Sequence, residues 1–149
     1  MAAHLTVMKE DYPMTMWLAA VLCGVFVILG AWHLYWAAGG LYGKAAAIPE
    51  VDGRRVFEPS AGGTALVGMV LIACAGLVAI QSGLLAVPVP DAVRVWPGRL
   101  LAAGLMARAV GDFRLVGFFK RIKGSVFARQ DTRFYSPLCL LLGLGVLAV

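Results

Sequence analysis

Charged residues are scarce in this chain of 149 residues, since Asp, Glu, Lys and Arg together make up only 14% of it. Soluble domains carry about 25% charged residues, and an intrinsically disordered chain combines many charges with few apolar residues. The chain fits neither class, because 61% of its residues are hydrophobic. We therefore predict an integral membrane protein that forms a single domain over residues 1–149.

Cysteine and histidine are scarce as well, which limits the chemistry available. The three cysteines are too few for a disulfide scaffold and lack CxxC spacing, so we expect buried small apolar residues. His4 and His33 have no acidic or cysteine partner at the spacing of metal ligands. The chain also has no G-x-S-x-G motif and no phosphate-binding loop. We accordingly predict neither a metal nor a cofactor.

Four long apolar runs predict membrane-spanning helices. The first, from Trp17 to Ala38, covers about 22 residues, which is enough to cross a bilayer core and too long for a signal peptide. The last begins at Tyr135 and reaches only about 22 Å. The predicted fold is an all-α membrane four-helix bundle with a short last helix, its helices at about residues 16–38, 61–87, 96–119 and 135–149.

Small residues at helical spacing predict close packing of the second and third helices. They form two ridges, Ala75, Ala79 and Gly83 on one helix and Ala103, Ala107 and Gly111 on the other. These ridges could pack within one subunit or between subunits. A homo-oligomer or a membrane-protein partner is therefore left open.

The positions of the basic residues predict the orientation in the membrane. With four spans, the side of both termini holds only Lys9, Arg94 and Arg99. The opposite side holds Lys44, Arg54, Arg55, Arg114, Lys120, Arg121, Lys123, Arg129 and Arg133. The positive-inside rule then places loops 39–60 and 115–134 in the cytoplasm and both termini outside the inner (plasma) membrane. Topology thus accounts for the net charge of +5, and no nucleic-acid partner is needed.

The loop at residues 115–134 is the most basic part of the chain. Leu115, Phe119, Ile122 and Val126 recur at about one helical turn, with basic residues around them. Such a basic amphipathic segment favours the headgroup layer of a bilayer. We therefore expect this loop to contact anionic lipids.

Several ionisable and aromatic residues are predicted to meet at the cytoplasmic face. The helical rise places His33 and Asp112 at equal depth, each about 24 Å from the tryptophan that begins its helix. Arg108 lies one turn deeper, within reach of Asp112 at i,i+4 spacing. We predict a polar cluster made of His33, Tyr35, Trp36, Arg108, Asp112, Arg114 and Tyr135.

Two interpretations of this cluster are open. In the structural one, Arg108 and Asp112 form a satisfied ion pair, and His33 forms a hydrogen bond between helices. In the functional one, Arg108, Arg114 and Lys120 attract an anionic or polar ligand, while Asp112 orients the arginines.

These interpretations lead to three hypotheses about function. We expect a non-enzymatic membrane protein whose pocket binds an anionic lipid headgroup, a small metabolite or a partner protein. One alternative is a membrane enzyme acting on a lipid-soluble substrate, with His33 or Tyr135 as proton donor. Another is a small proton-coupled exporter that relies on Asp112.

Several short motifs together resemble one protein family. They are His33-Leu-Tyr-Trp-Ala-Ala-Gly-Gly40, Arg108-Ala-Val-Gly-Asp-Phe-Arg114, Gly117-Phe-Phe-Lys120, Asp131 and Tyr135-Ser-Pro-Leu-Cys139. They are similar to the small bacterial membrane proteins of the domain of unknown function 3995 family. The resemblance implies a four-helix membrane protein and no particular activity. It also adds Asp131 to the predicted cluster, because the motif positions coincide with that cluster.

Overall fold

A computed structural model describes residues 2–149, with side chains from Met14 onwards. The chain is mostly helical, and one small pair of antiparallel strands lies between the first two helices. In chain order the elements are α1 (Ala2–Ala37), a 3₁₀ turn (Ala45–Ala47), β1 (Glu50–Val51), β2 (Arg54–Arg55), α2 (Ala61–Ser82), α3 (Asp91–Val110), α4 (Val126–Gln130), a π-helical turn (Asp131–Tyr135) and α5 (Ser136–Ala148).

The first two long helices lie where the apolar runs predict them. α1 extends well before the predicted start at residue 16, although Lys9 lies outside the residues whose side chains are described. α2 begins where the Ser60 hydroxyl accepts a hydrogen bond from the Gly63 amide at 3.1 Å. It ends at Ser82 rather than residue 87, because Gly83 adopts a left-handed conformation with φ of 82°.

The third helix is displaced from its predicted position at residues 96–119. It begins at Asp91, whose carboxylate favours the positive end of the helix dipole and pairs with Arg94 at 2.8 Å. It ends at Val110, because Gly111 leaves helical geometry with φ of 93° and ψ of −173°. The apolar residues that recur at helical spacing from Leu115 onwards do not form a helix up to residue 125, and residues 111–125 form a non-helical loop.

The last helical segment begins nine residues before its predicted start at Tyr135. The Ser125 hydroxyl accepts a hydrogen bond from the Ala128 amide at 3.0 Å, and helical backbone then continues from α4 through the π-helical turn into α5. The prediction of a short last helix therefore applies to its apolar part, α5, and not to the helical segment as a whole.

The helices pack mainly as two pairs, α1 with α2 and α3 with α5. Gly30 and Gly68 let the first pair approach closely, since a Cβ on either glycine would lie within 2.9 Å of the other's carbonyl oxygen. One buried core joins the pairs, and it consists of Ala19, Leu22, Phe26, Ala75, Val78, Ala102, Leu142 and Val146.

The predicted small-residue ridges match this packing only in part. Ala75 is buried, and its carbonyl oxygen accepts a hydrogen bond from the free thiol of Cys23 at 3.2 Å. Ala103 and Ala107, however, lie on the exposed face of α3. The residues that α3 buries are instead Gly98, Ala102 and Ala109.

Two segments have the length and hydropathy needed to cross a membrane, Met14–Ala37 in α1 and Ala61–Ser82 in α2. Only 22% of the residues in each apolar window are buried within the protein. Large apolar side chains such as Val21, Ile28 and Leu66 therefore remain exposed. An apolar outer surface of this kind is typical of helices that contact lipid.

Candidate functional site

An ion-pair network at the end of α3 joins Arg108, Lys120 and Asp131. One carboxylate oxygen of Asp131 accepts a hydrogen bond from Arg108 Nη2 at 2.7 Å. The other accepts hydrogen bonds from Lys120 Nζ at 3.0 Å and from the Gly117 amide at 2.7 Å. The predicted pairing of Arg108 with Asp112 is therefore wrong, because the helix ends between these two residues and Arg108 instead reaches across to the π-helical turn.

Two of the three side chains in this network are almost completely buried. The side chain of Asp131 is fully buried and that of Lys120 is 1% exposed. Lys120 Nζ also donates to the Gly117 carbonyl at 2.9 Å and to the Thr132 hydroxyl at 2.6 Å, so all three ammonium protons have acceptors. Buried charges are tolerated when they are paired and hydrogen-bonded in this way. Two cations and one carboxylate leave the network with a net charge of +1.

Asp112 shapes the loop that follows α3 rather than orienting arginines. One of its carboxylate oxygens accepts hydrogen bonds from the amides of Arg114, Leu115 and Val116, at 2.9, 2.7 and 3.0 Å. These bonds fold the loop back until Gly117 meets Gly111, where a Cβ on Gly111 would lie 2.6 Å from the Gly117 Cα. The loop thereby brings the Gly117 amide to Asp131.

Both carboxyl groups have a lowered pKa. Burial acts to raise the pKa of Asp131, but the hydrogen bonds from Arg108 and Lys120 outweigh it and hold that pKa below its ordinary value. The hydrogen bond from the Val116 amide is the largest cause of the lowered pKa of Asp112. Desolvation acts to raise this pKa, and the hydrogen bonds from the Arg114 and Leu115 amides lower it further. Both side chains are therefore anionic at neutral pH.

His33 lies apart from the network, beside a cavity of about 340 Å³. Its Nδ1 donates to the Leu29 carbonyl within α1 at 2.8 Å, so the predicted hydrogen bond to another helix is not formed by this nitrogen. The enzyme hypothesis requires His33 at an open pocket, and this position meets that requirement. The cavity is lined by His33, Trp36, Lys44, Ala47, Ile48, Phe57, Pro59, Ser60, Gly63, Thr64 and Val67.

The aromatic members of the predicted cluster hold the loop after α1. Trp36 Nε1 donates to the Tyr42 carbonyl at 2.8 Å. The Trp36 ring packs edge-on against the His33 ring, with ring centroids 5.1 Å apart. The ring of Tyr35 covers Gly40, where any Cβ would collide with it. Tyr135 lies opposite, in the π-helical turn, and its hydroxyl donates to the Ala46 carbonyl at 3.4 Å. Tyr135 thus links the turn that carries Asp131 to the 3₁₀ turn, whose Ala47 lines the cavity.

A basic groove lies beside the network, since Thr132 lines the groove and accepts a hydrogen bond from Lys120. It has a volume of about 480 Å³ and is lined by Lys123, Gly124, Ala128, Arg129, Thr132 and Arg133. Arg129 Nη1 donates to the Gly124 carbonyl at 2.7 Å. Among the described side chains, those of Lys123, Arg129 and Arg133 form no ion pair.

The predicted cluster therefore separates into distinct places. Arg108, Lys120 and Asp131 come together, whereas His33 and Trp36 line the cavity and Arg114 is exposed in the loop. In the sequence, the groove cations predict the orientation and the contact of their loop with anionic lipids, but they are not grouped there into one site, although the four-residue spacing of Arg129 and Arg133 is visible. The cavity residues Lys44, Ser60 and Thr64 gave no such signal, because they are brought to His33 only by the fold of residues 39–60.

Comparison with known proteins places the chain in a family. The family described as Protein of unknown function (DUF3995) matches residues 26–146, which confirms the resemblance carried by the motifs. No curated protein matches the chain. No solved structure matches it either.

Proposed function

The chain belongs to the DUF3995 family of proteins of unknown function, and we propose that it is a four-span inner-membrane protein that binds phosphate headgroups of anionic lipids. The binding site is the basic groove at the cytoplasmic end of the bundle. The observation that carries this proposal is the combination of Lys123, Arg129 and Arg133 around one groove whose lining includes no carboxylate.

The four-span arrangement adds α3 and α5 to the two apolar helices. Arg99 lies over the ring of Trp96 at 5.3 Å, an arrangement suited to the outer boundary of a membrane, where aromatic residues gather. At the other end of α3, Arg108 is paired with Asp131 instead of facing lipid alone. α5 packs against α3 and exposes leucines such as Leu141 and Leu144. These features support a membrane position for both helices, with the network at the cytoplasmic boundary.

The charge of the groove favours phosphate. The nearby carboxylates already have hydrogen-bond partners: Asp112 accepts from loop amides, and Asp131 accepts from Arg108, Lys120 and the Gly117 amide. The groove cations therefore retain their full attraction for an external anion. Arginine presents a planar fork of donors that matches phosphate oxygens, and basic residues cytoplasmic of a membrane helix attract anionic lipids.

Exposed phenylalanines favour a lipid over a free anion. Phe113, Phe119 and Phe134 are each more than half exposed, and the first two pack against each other with ring centroids 6.3 Å apart. They alternate along the chain with the basic residues of the loop. Apolar side chains beside cations are typical of surfaces that insert into the headgroup layer.

A titration of detergent-solubilised protein with fluorescent phosphatidylglycerol and phosphatidylcholine tests the proposal. We expect phosphatidylglycerol to bind more tightly, and Arg129→Gln with Arg133→Gln to weaken it on the order of tenfold, since each cation near a lipid surface contributes about 1 kcal/mol. Arg54→Gln with Arg55→Gln removes equal charge from the other loop and should have little effect. Competition by glycerol phosphate as effective as that by the lipid would indicate a free phosphate ligand, and equal binding of both lipids would refute the proposal.

A further inference from the structure

We propose that the cavity beside His33 binds a single-chain amphiphile with a carboxylate head, such as a medium-chain fatty acid. This site is separate from the basic groove and goes beyond the proposed headgroup binding. It lies between α1, the first turns of α2 and the loop at residues 44–59. The inference rests on the shape of the cavity, on an unpaired cation in its wall and on a hydroxyl group that can donate a hydrogen bond to the head.

The cavity has the size and wall composition of a small-molecule site. Its volume of about 340 Å³ falls within the range of about 300–1,000 Å³ in which ligand pockets occur. Apolar side chains form most of its wall, among them buried Ile48 and the rings of Trp36 and Phe57. Such a wall suits an apolar chain, while the few polar groups select the head.

Lys44 supplies the charge that selects an anionic head. It is half-buried, and within the described part of the chain its ammonium forms no ion pair. The residues lining the cavity include no Asp and no Glu. A cation beside an apolar wall without a counter-ion is unfavourable, and a carboxylate entering the cavity would relieve that cost.

The Ser60 hydroxyl can complete the head site, because a carboxylate only accepts hydrogen bonds and this hydroxyl can donate one. Its oxygen accepts from the Gly63 amide at 3.1 Å, which leaves its own proton to donate. The Thr64 hydroxyl donates to the Ser60 carbonyl at 2.8 Å and His33 Nδ1 donates to the Leu29 carbonyl at 2.8 Å, so these two protons are used within the fold.

The bilayer offers a route for the apolar chain. Val67 lines the cavity and is also 46% exposed on the outer face of α2, one of the two candidate membrane spans. The cavity wall therefore continues into an apolar surface that contacts lipid. A single chain dissolved in the membrane can enter from this side while its head stays near Lys44.

Photo-crosslinking in phosphatidylcholine nanodiscs tests this inference. A fatty acid with a diazirine at its tail end is activated by light, and the labelled residues are mapped by peptide mass spectrometry. We expect labelling concentrated on cavity residues such as Phe57 and Val67, with strong competition by decanoate and weak competition by decanol. Labelling spread evenly over the outer faces of α1 and α2 would overturn the inference.

Variants separate the charge requirement from folding and from headgroup binding. Lys44→Gln should reduce cavity labelling at least tenfold, whereas Lys44→Arg should retain it. The matched control Lys123→Gln removes a lysine outside the cavity and should label like the wild type, even if phosphatidylglycerol binding weakens. Cavity labelling that is unchanged in Lys44→Gln would contradict the inference without bearing on the basic groove.

Discussion

Asp131 and Arg108 are joined at 2.7 Å although 23 positions separate them in the chain. The contact ties the last turn of α3 to the π-helical turn that precedes α5. Lys120 reaches the same carboxylate from the intervening loop. The buried side chain of Asp131 therefore connects three segments of the chain. These contacts hold the loop at residues 111–125 in place and thereby position the basic groove that we propose to bind lipid.

Asp131→Asn should destabilise the protein strongly, because it leaves the cations of Arg108 and Lys120 without a buried counter-charge. Removing one partner of a buried ion pair costs about 3–5 kcal/mol. The free energy of unfolding, measured by titration with dodecyl sulfate in mixed micelles, should fall accordingly. Asp91→Asn affects an exposed pair and should change it by about 1 kcal/mol or less. Equal small losses in both variants would contradict the role of the network.

Gly117→Ala and Gly124→Ala form a matched pair, since both glycines have positive φ, 89° and 103°. An alanine at Gly124 meets no atom within 4 Å and incurs only the backbone penalty of about 1–2 kcal/mol. An alanine at Gly117 would also collide with the Val110 carbonyl. We expect a larger loss of stability at Gly117 in the same micelle titration. Similar losses at both positions would show that the close approach of Gly111 and Gly117 is unimportant.

Acid should weaken the fold through the two carboxyl groups with lowered pKa. A carboxyl group whose folded pKa is depressed adds stability above its unfolded pKa of about 3.9, and that stability is lost as pH falls through the folded pKa. Asp131 and Asp112 are both such groups. Thermal unfolding followed by circular dichroism should show a decline below about pH 4 in the wild type. Asp112→Asn should show a shallower decline, and an unchanged pH profile in this variant would be inconsistent with its place in the loop.

Labelling of engineered cysteines tests the predicted orientation of the protein in the membrane. Arg54→Cys and Lys123→Cys should react with an impermeant maleimide only from the cytoplasmic side of inverted vesicles. Val87→Cys, in the short loop before α3, should react only in intact cells or spheroplasts. The native cysteines Cys23, Cys74 and Cys139 are replaced by alanine to remove background. Reaction of residues 54 and 87 from the same side would refute the four-span topology.

The sequence predicts well those features that depend on a single segment of the chain. The apolar runs located α1 and α2, and the family motifs singled out Arg108, Lys120 and Asp131. The end of α3 was missed because apolar residues continue after Gly111, while the backbone turns at that glycine. Spacing favoured Asp112 as the partner of Arg108, since the i,i+4 rule assumes an unbroken helix.

The periodicity of apolar residues does not predict which distant segments come into contact. The equal depths predicted for His33 and Asp112 give a shared cluster only if α1 lies beside α3. The main neighbour of α1 is instead α2, so His33 faces the cavity. The exporter hypothesis needs a carboxylate within the membrane, but Asp112 is exposed in the loop after α3.

The most direct test of headgroup binding is native mass spectrometry of the wild-type protein with an equimolar mixture of phosphatidylglycerol and phosphatidylcholine. We predict that phosphatidylglycerol adducts exceed phosphatidylcholine adducts at least tenfold, since two groove cations at about 1 kcal/mol each already exceed the roughly 1.4 kcal/mol of a tenfold ratio. The excess should disappear when Lys123, Arg129 and Arg133 are all replaced by glutamine. Equal adducts of the two lipids on the wild-type protein would contradict the proposal that this protein recognises anionic headgroups.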